Sequence, residues 1–223
     1  MMKGFYINLN ERVDRMHHFE NMKIKYPFLK NIKRFPAIKN KNGAIGCGMS
    51  HIEALKNLQN YDDENNHNGD HNDDYFIICE DDLCILNDDN YAKFVKDFDA
   101  IKNSNWDIIV LTPSGDKMPN IDIPNMQSHN FYRIHNNQTA TAYIIKKTFI
   151  PILLLNFEQS VVGLLKGGHP NTYAIDQWWK QLQNQYTFWY YKYVYAGQLV
   201  GYSNIENKHV DYNKRFLHQT NRH

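Results

Sequence analysis

Three consecutive acids, Glu80, Asp81 and Asp82, follow five uncharged residues, Tyr75 to Cys79, in the stretch YFIICEDDL. Carboxylate oxygens grouped in this way are hard ligands, suited to Mg²⁺ or Mn²⁺ carrying a substrate phosphate. The apolar run that leads into them, rich in aromatic and branched residues, predicts a strand covered on both faces inside a parallel sheet. Alternation along such a strand sends Glu80 and Asp82 out on one side and Asp81 on the other. Ligands of open α/β sheets bind outside the carboxyl ends of the strands, which is where these acids fall. The competing reading is an acidic turn that solvates the strand end or caps the next helix, and on the acids alone it is the stronger.

The elements around this stretch limit what it can be. A chain of 223 residues with 42% hydrophobic and 14% aromatic content is large enough for one α/β domain with a substantial core. A formal net charge of +1 gives no basis for a nucleic-acid surface or an anionic membrane. The apolar segment FIPILLL, Phe149 to Leu155, falls short of a bilayer span and contains Pro151, so no transmembrane segment is expected. The first fifteen residues lack the apolar region and cleavage site of a signal peptide. Cys47, Cys79 and Cys84 are odd in number and lack zinc-type spacing, which predicts reduced thiols and a cytoplasmic location.

In chain order, GFYINL (4–9) reads as a strand. Asn10 caps a helix whose stripe is Val13, Met16, Phe19 and Met22, ended by Pro27. Residues 32–38 read as an edge strand because of Pro36. A Gly-rich loop, 39–51, then leads into a helix through Ile52, Leu55 and Leu58, for which Ser50 and Glu53 form a capping box. Residues 62–74 read as a polar surface insertion, and a calcium-loop register through Gly69 fails because the last ligand position falls on Tyr75. Further expected elements are a helix over 91–101, a strand over 106–111 and a covering loop over 117–130. Strands over 131–135 and 139–145, a short helix over 149–157, a flexible connection over 163–170, a helix over 173–183 and an aromatic strand over 188–195 follow. The tail, 208–223, reads as flexible. Alternating strands and helices, then mixed elements, predict an α/β fold with a smaller antiparallel or irregular part.

Several stretches together resemble the family 25 glycosyltransferases, which include the lipooligosaccharide and collagen galactosyltransferases. They are YINLNERVDR (6–15), GAIGCGMSHIEAL (43–55), IICEDD (77–82), WDIIVL (106–111), TATAYIIKK (139–147), AIDQWW (174–179) and QLVGYSNIEN (198–207), and they occur in the family's order. Gly48 stands where the family commonly has Ala or another small residue, and 62–74 looks inserted. The resemblance implies a single domain over 1–223 with a GT-A-like fold: a Rossmann-type, mostly parallel sheet flanked by helices, with a smaller mixed C-terminal part. It implies inverting transfer of a hexose, galactose or glucose, from a UDP-sugar to a glycan or hydroxylysine-type acceptor, with Mn²⁺ or Mg²⁺ as cofactor.

On this resemblance Asp82 is the metal ligand, and Glu80 serves the metal, the ribose or a metal-bound water. Asp81 is a donor-side residue or a backbone contact. The Asn8–Arg15 loop, with Asn8, Leu9, Arg12 and Arg15, grips the nucleotide, an arginine reaching phosphate; both arginines could equally line a solvated helix face. Ser50 and His51 would offer a helix N-terminus to the diphosphate, against a simple cap at Ser50 and packing or a backbone contact at His51. Asp176 is the base that takes the acceptor proton, or else a helix cap. Trp178 and Trp179 stack on a sugar, or else fill the core. Ser203, Asn204 and Glu206 line the donor or acceptor side, and His209 is a third metal ligand. Cys47 reads as a small buried residue.

A dinucleotide-binding GxGxxG fails because His51 occupies the third Gly position, and a hydrolase elbow fails because Ile52 follows His51. The remaining alternative is a non-catalytic carbohydrate- or nucleotide-sugar-binding module with the same fold.

Overall fold

A computed structural model describes residues 2–61, 75–114, 130–203 and 208–212, the backbone alone at 202, 203 and 208. Eleven strands and seven α-helices occur among these residues. The strands are β1 (Lys3–Asn8), β2 (Asn31–Pro36), β3 (Tyr75–Glu80), β4 (Leu83–Ile85), β5 (Ile108–Val110), β6 (Phe131–Arg133), β7 (Ala142–Lys146), β8 (Phe188–Tyr191), β9 (Ala196–Gln198), β10 (Gly201–Ser203) and β11 (Lys208–Val210). The helices are α1 (Val13–Lys25), α2 (Gly43–Gln59), α3 (Asp88–Ile101), α4 (Ile150–Leu165), α5 (Pro170–Tyr173), α6 (Ile175–Trp178) and α7 (Lys180–Gln183).

Seven strands form one sheet in the order β2-β1-β3-β7-β5-β8-β6. The β1–β2, β1–β3 and β5–β8 pairs are parallel; β7 and β6 run against their neighbours, so the sheet is mostly parallel. The period-2 pattern explains why the strands look uniformly apolar. Phe76 and Ile78 of β3, Ile108 and Val110 of β5, and Tyr143 and Ile145 of β7 face one core with α2 and α4. Ile77 and Cys79, Ile109, and Ala142 and Ile144 face a second core with Phe19 and Met22 of α1 and Phe94 and Phe98 of α3. With helices on both faces, neither side of β3 can be polar until the strand ends. Two antiparallel ribbons, β4–β9 and β10–β11, form the smaller part.

Several boundaries differ from the sequence reading. Helix α2 begins at Gly43, capped by the Asn42 side chain accepting from the Ala44 N–H; the stretch read as a Gly-rich loop is mostly helix. Ser50 therefore caps nothing. It lies inside the helix, donating to the Gly46 carbonyl at 2.6 Å and accepting from the Ile38 N–H at 2.8 Å. The two glycines that looked like loop residues are there for space. A Cβ on Gly46 would sit 2.8 Å from the Ile38 carbonyl oxygen, and one on Gly48 2.6 Å from Val161 Cγ2 and 3.3 Å from Ile175 Cγ2. Asn10 does not cap α1, which starts after Arg12; it accepts from Arg34 instead.

Helix α4 runs on to Leu165, past the expected end at 157 and into the first three residues of the expected connection, which is non-helical over 166–169. Lys147–Leu165 is long and apolar enough to cross a membrane by length and composition, contrary to the expectation that nothing qualifies. Packing accounts for half of that segment: Ile150, Leu153, Phe157, Val161 and Leu164 belong to the α2-side core, whereas Leu155, Val162 and Leu165 are exposed. The helix expected over 173–183 is three short turns, α5 to α7. Lys208–Val210, placed in the flexible tail by the sequence reading, pairs as β11 with β10. The insertion at 62–74, most of the loop at 117–130 and the tail from 213 on lie outside the described residues.

Candidate active site

Parallel pairing of β1 with β3 sets Ile7 opposite Glu80, so the residues one step further, Asn8 and Asp81, emerge side by side at the carboxyl edge. Asn8 is 1% exposed and donates to Asp81 Oδ2 at 2.7 Å and to the Arg12 carbonyl at 3.0 Å. Its own oxygen accepts from Arg34 Nε at 2.8 Å, which fixes the amide. From α1, Arg15 reaches back to the same edge, 2.9 Å from Asp81 Oδ1 and 3.4 Å from Asp82 Oδ2. Asp81 is thus held by protein groups on both oxygens. Burial nonetheless pushes its carboxyl above the ordinary value, with Arg15 and Asn8 opposing. The pair orients side chains at a desolvation cost that its own attraction does not fully offset.

The three acids do not alternate as a continued strand would. β3 ends at Glu80, and Asp81–Asp82 form a turn into β4. Asp81 and Asp82 both face the Arg15 guanidinium, while Glu80 turns to α2. There it lies 3.5 Å from His51 Nε2 and accepts from the Cys47 thiol at 3.5 Å. Burial opposes ionisation of Glu80, but His51, Cys47 and Arg15 together hold it below the ordinary value. Asp82 is the opposite case. Burial, then the charge of Glu80, raises it to about 7, with Arg15 opposing. Its Oδ1 is buried and without a hydrogen bond, while ribbon β4–β9 pins its backbone through Leu199 N–H at 2.7 Å.

Asp176 arrives from the other side, on the first turn of α6. Burial and then the Glu80 charge raise its carboxyl to about 6, and Lys180 opposes the shift. The charge of Asp176 in turn contributes to a large upward shift of the Cys47 thiol, behind burial and Glu80. Asp176, Glu80 and Cys47 therefore sense one another. What allows it is the contact of Ile175 with Gly48, which seats α6 against α2. The first turn of α6 has no side-chain cap, although the Asp176 carboxylate takes backbone N–H bonds from its own residue and Gln177.

The other expected residues divide. Trp179 is fully buried, donates Nε1–H to the Asn137 carbonyl at 3.0 Å and packs edge-on against Tyr143 and Phe188, so it has no face for a sugar. Trp178 is half-buried, stacked on Tyr173 at 4.9 Å, with its Nε1–H unpartnered. His51 is fully buried mid-helix, so it offers no helix N-terminus to a diphosphate; neither does Ser50. Arg12 forks onto Asp14 at 2.9 and 3.0 Å at the start of α1. Leu9 is half-buried and its carbonyl accepts from the Arg12 N–H. His209 is exposed on β11 and outside the one group of metal-type donors found among the described residues, Cys47, His51 and Glu80. Ser203 closes β10, while Asn204 and Glu206 lie outside the described residues.

Sequence reasoning missed Cys47, Tyr143, Arg34 and Gln198 as parts of the site. Gln198 reaches the Asp82 carboxylate from β9. Cys47 and His51 stand four apart, a spacing that would have placed them on one helix face had 43–51 been read as helix.

No family model matches the chain, and no curated protein sequence matches it. Among solved structures, it is similar to a mannose-1-phosphate geranyltransferase from Thermus thermophilus, at 8% identity and a TM-score of 0.40, over 84% of this chain and 58% of that one. It is also similar to a UTP-bound UGPase from Acinetobacter baumannii, at 10% identity and a TM-score of 0.41, over 98% of this chain and 76% of that one. The chain thus spans less than two thirds of the first of these proteins, and likenesses this distant carry no inference about chemistry.

Proposed function

We propose that this chain is an inverting, divalent-metal-dependent glycosyltransferase of GT-A-like fold, moving a hexose from a UDP-sugar to a hydroxyl of a glycan or hydroxylysine-type acceptor. The observation that supports this best is that two kinds of carboxylate, on separate elements, both sense Glu80 and both act on Cys47. Asp82 is half-buried with a buried, orphaned oxygen, and Asp176 is an acid raised to about 6 on a separate element. Paired acids with different environments divide binding and proton-transfer roles.

The donor set fits Mn²⁺ or Mg²⁺ at Asp82, since its unsatisfied buried oxygen and its repulsion by Glu80 are both relieved by a hard cation. When bound, such an ion supplies positive charge against the diphosphate that leaves with its sugar bond broken. The protein's own residues do the rest. Arg15 and Asn8 hold Asp81 and steer Asp82 into place. Glu80, turned toward α2, acts on Asp82 through its charge and not as a ligand beside it. Asp176, ionised above about pH 6, accepts the acceptor hydroxyl's proton as that oxygen attacks the anomeric carbon. Trp178, backed by Tyr173, offers the sugar an aromatic surface.

The test is a set of UDP-hexoses incubated with the purified chain and Mn²⁺. UDP release that stops with EDTA supports transfer chemistry. Donor binding without release assigns the chain to the non-catalytic module class.

A further inference from the structure

We propose that Cys47, His51 and Glu80 form a second, distinct metal site, selective for a borderline cation of the Zn²⁺ type, on the α2 side of the β3 edge. Cys47 and His51 project from one face of α2, and Glu80 closes the triangle from β3. Their ligand atoms all lie within 4.8 Å of one another, with Sγ to Oε1 and Nε2 to Oε1 both 3.5 Å. Bonds of about 2.0–2.3 Å at tetrahedral angles require ligand separations of about 3.4–3.6 Å, so the two shorter edges are already at metal-binding length.

A second, independent observation points to a ligand. His51 is fully buried, yet its Nε2 has no hydrogen bond, since the approach to Glu80 is not a well-formed one. An unmet buried nitrogen is costly, and its persistence needs a reason. The other ring nitrogen, Nδ1, meets the Tyr143 hydroxyl at 3.1 Å, and the two rings stack at 5.8 Å. Fixing one nitrogen by an outer partner while the other is aimed at a cation is how metal-binding histidines are oriented. Thiol, imidazole and one carboxylate suit Zn²⁺ and its surrogate Co²⁺, whereas Mn²⁺ and Mg²⁺ prefer oxygen ligands such as the Asp82 carboxylate. Binding replaces the Cys47 S–H by a metal–sulfur bond and releases one proton. Three protein ligands leave a fourth position for water.

Titration of the metal-free full chain with Co²⁺, followed by absorption, tests this without relying on any turnover. One equivalent should give tetrahedral cobalt bands with a thiolate-to-cobalt charge-transfer band, and Zn²⁺ should displace it. Folded Cys47→Ser should lose the charge-transfer band and bind at least about tenfold more weakly, and Tyr143→Phe should keep the band with affinity lowered about 10–100-fold. Asp82→Asn, which removes the other site, should keep the band. Absence of a thiolate band in the wild-type chain, its persistence in Cys47→Ser, or unchanged affinity in Tyr143→Phe would each overturn the proposal. If Cys47→Ser does not fold, the wild-type and Tyr143→Phe titrations decide.

Discussion

At the residue scale, the acids at the end of β3 divide by environment, and their pH behaviour follows. Asp82 carries a folded value of about 7 against an ordinary 3.8. The folded, metal-free chain therefore holds a proton that the unfolded chain has lost between about pH 4 and pH 7. Stability from this group is full below the unfolded value and is lost as pH rises through the folded one. Asp82→Asn should accordingly stabilise the metal-free protein at pH 8, by on the order of 1–3 kcal/mol, while abolishing metal-dependent turnover; thermal unfolding in EDTA at pH 5 and pH 8 checks the sign. Asp176 obeys the same rule in its rate. A base raised to about 6 gives transfer that climbs through pH 6 and levels above it, and Asp176→Asn should lose that limb together with most of the transfer, with donor binding intact. Asp81 behaves differently again: its removal takes away the shorter of the two carboxylate contacts of Arg15 and the buried Asn8 hydrogen bond while Asp82 stays at 3.4 Å, so Asp81→Ala should cost about 1–3 kcal/mol in urea unfolding.

At the scale of elements, α2 decides whether the site assembles. Gly48 admits Val161 of α4 and Ile175 of α6. Gly48→Ala would gain about 1 kcal/mol of helix propensity. It would also force a methyl to 2.6 Å from a stiff valine, and overpacking of that kind costs about 1–3 kcal/mol. The clash should win, lowering stability by about 1 kcal/mol and shifting α6 so that transfer falls more than donor binding; urea unfolding and separate transfer and binding assays would show it. The same packing hides α2 from the sequence. Glycines at 46 and 48 look like loop residues until their neighbours are known, Ile38 and Asn40 at Gly46 and helices α4 and α6 at Gly48, and no periodicity records a neighbour. One usable sign does stand in the sequence, Asn42, whose side chain is the cap. α6 shows the same limit: Trp178 and Trp179 are adjacent and identical in type, and only the turn of a four-residue helix sends one to the core and leaves the other half-exposed.

At the scale of the molecule, the sheet is partly legible. β3 can be read because burial on both faces makes a strand apolar at every position, and its end is marked by the first charge. The edge position of β2 can be read from Pro36. The strand order, with β7 inserted antiparallel between β3 and β5, cannot, since pairing partners far apart in sequence leave no local trace. Nor can the inward turn of Glu80 toward α2, which depends on that helix lying over the β1–β3 edge. The acids stand out in the sequence as a cluster, but their division between two sides of the edge is a property of the assembled layers.

The most direct measurement is Mn²⁺-dependent UDP release from UDP-hexose by the wild-type chain and by Asp82→Asn, both checked for native unfolding transitions. The account predicts release by the wild type and a loss of at least about 100-fold in the variant; equal release by the two would contradict it.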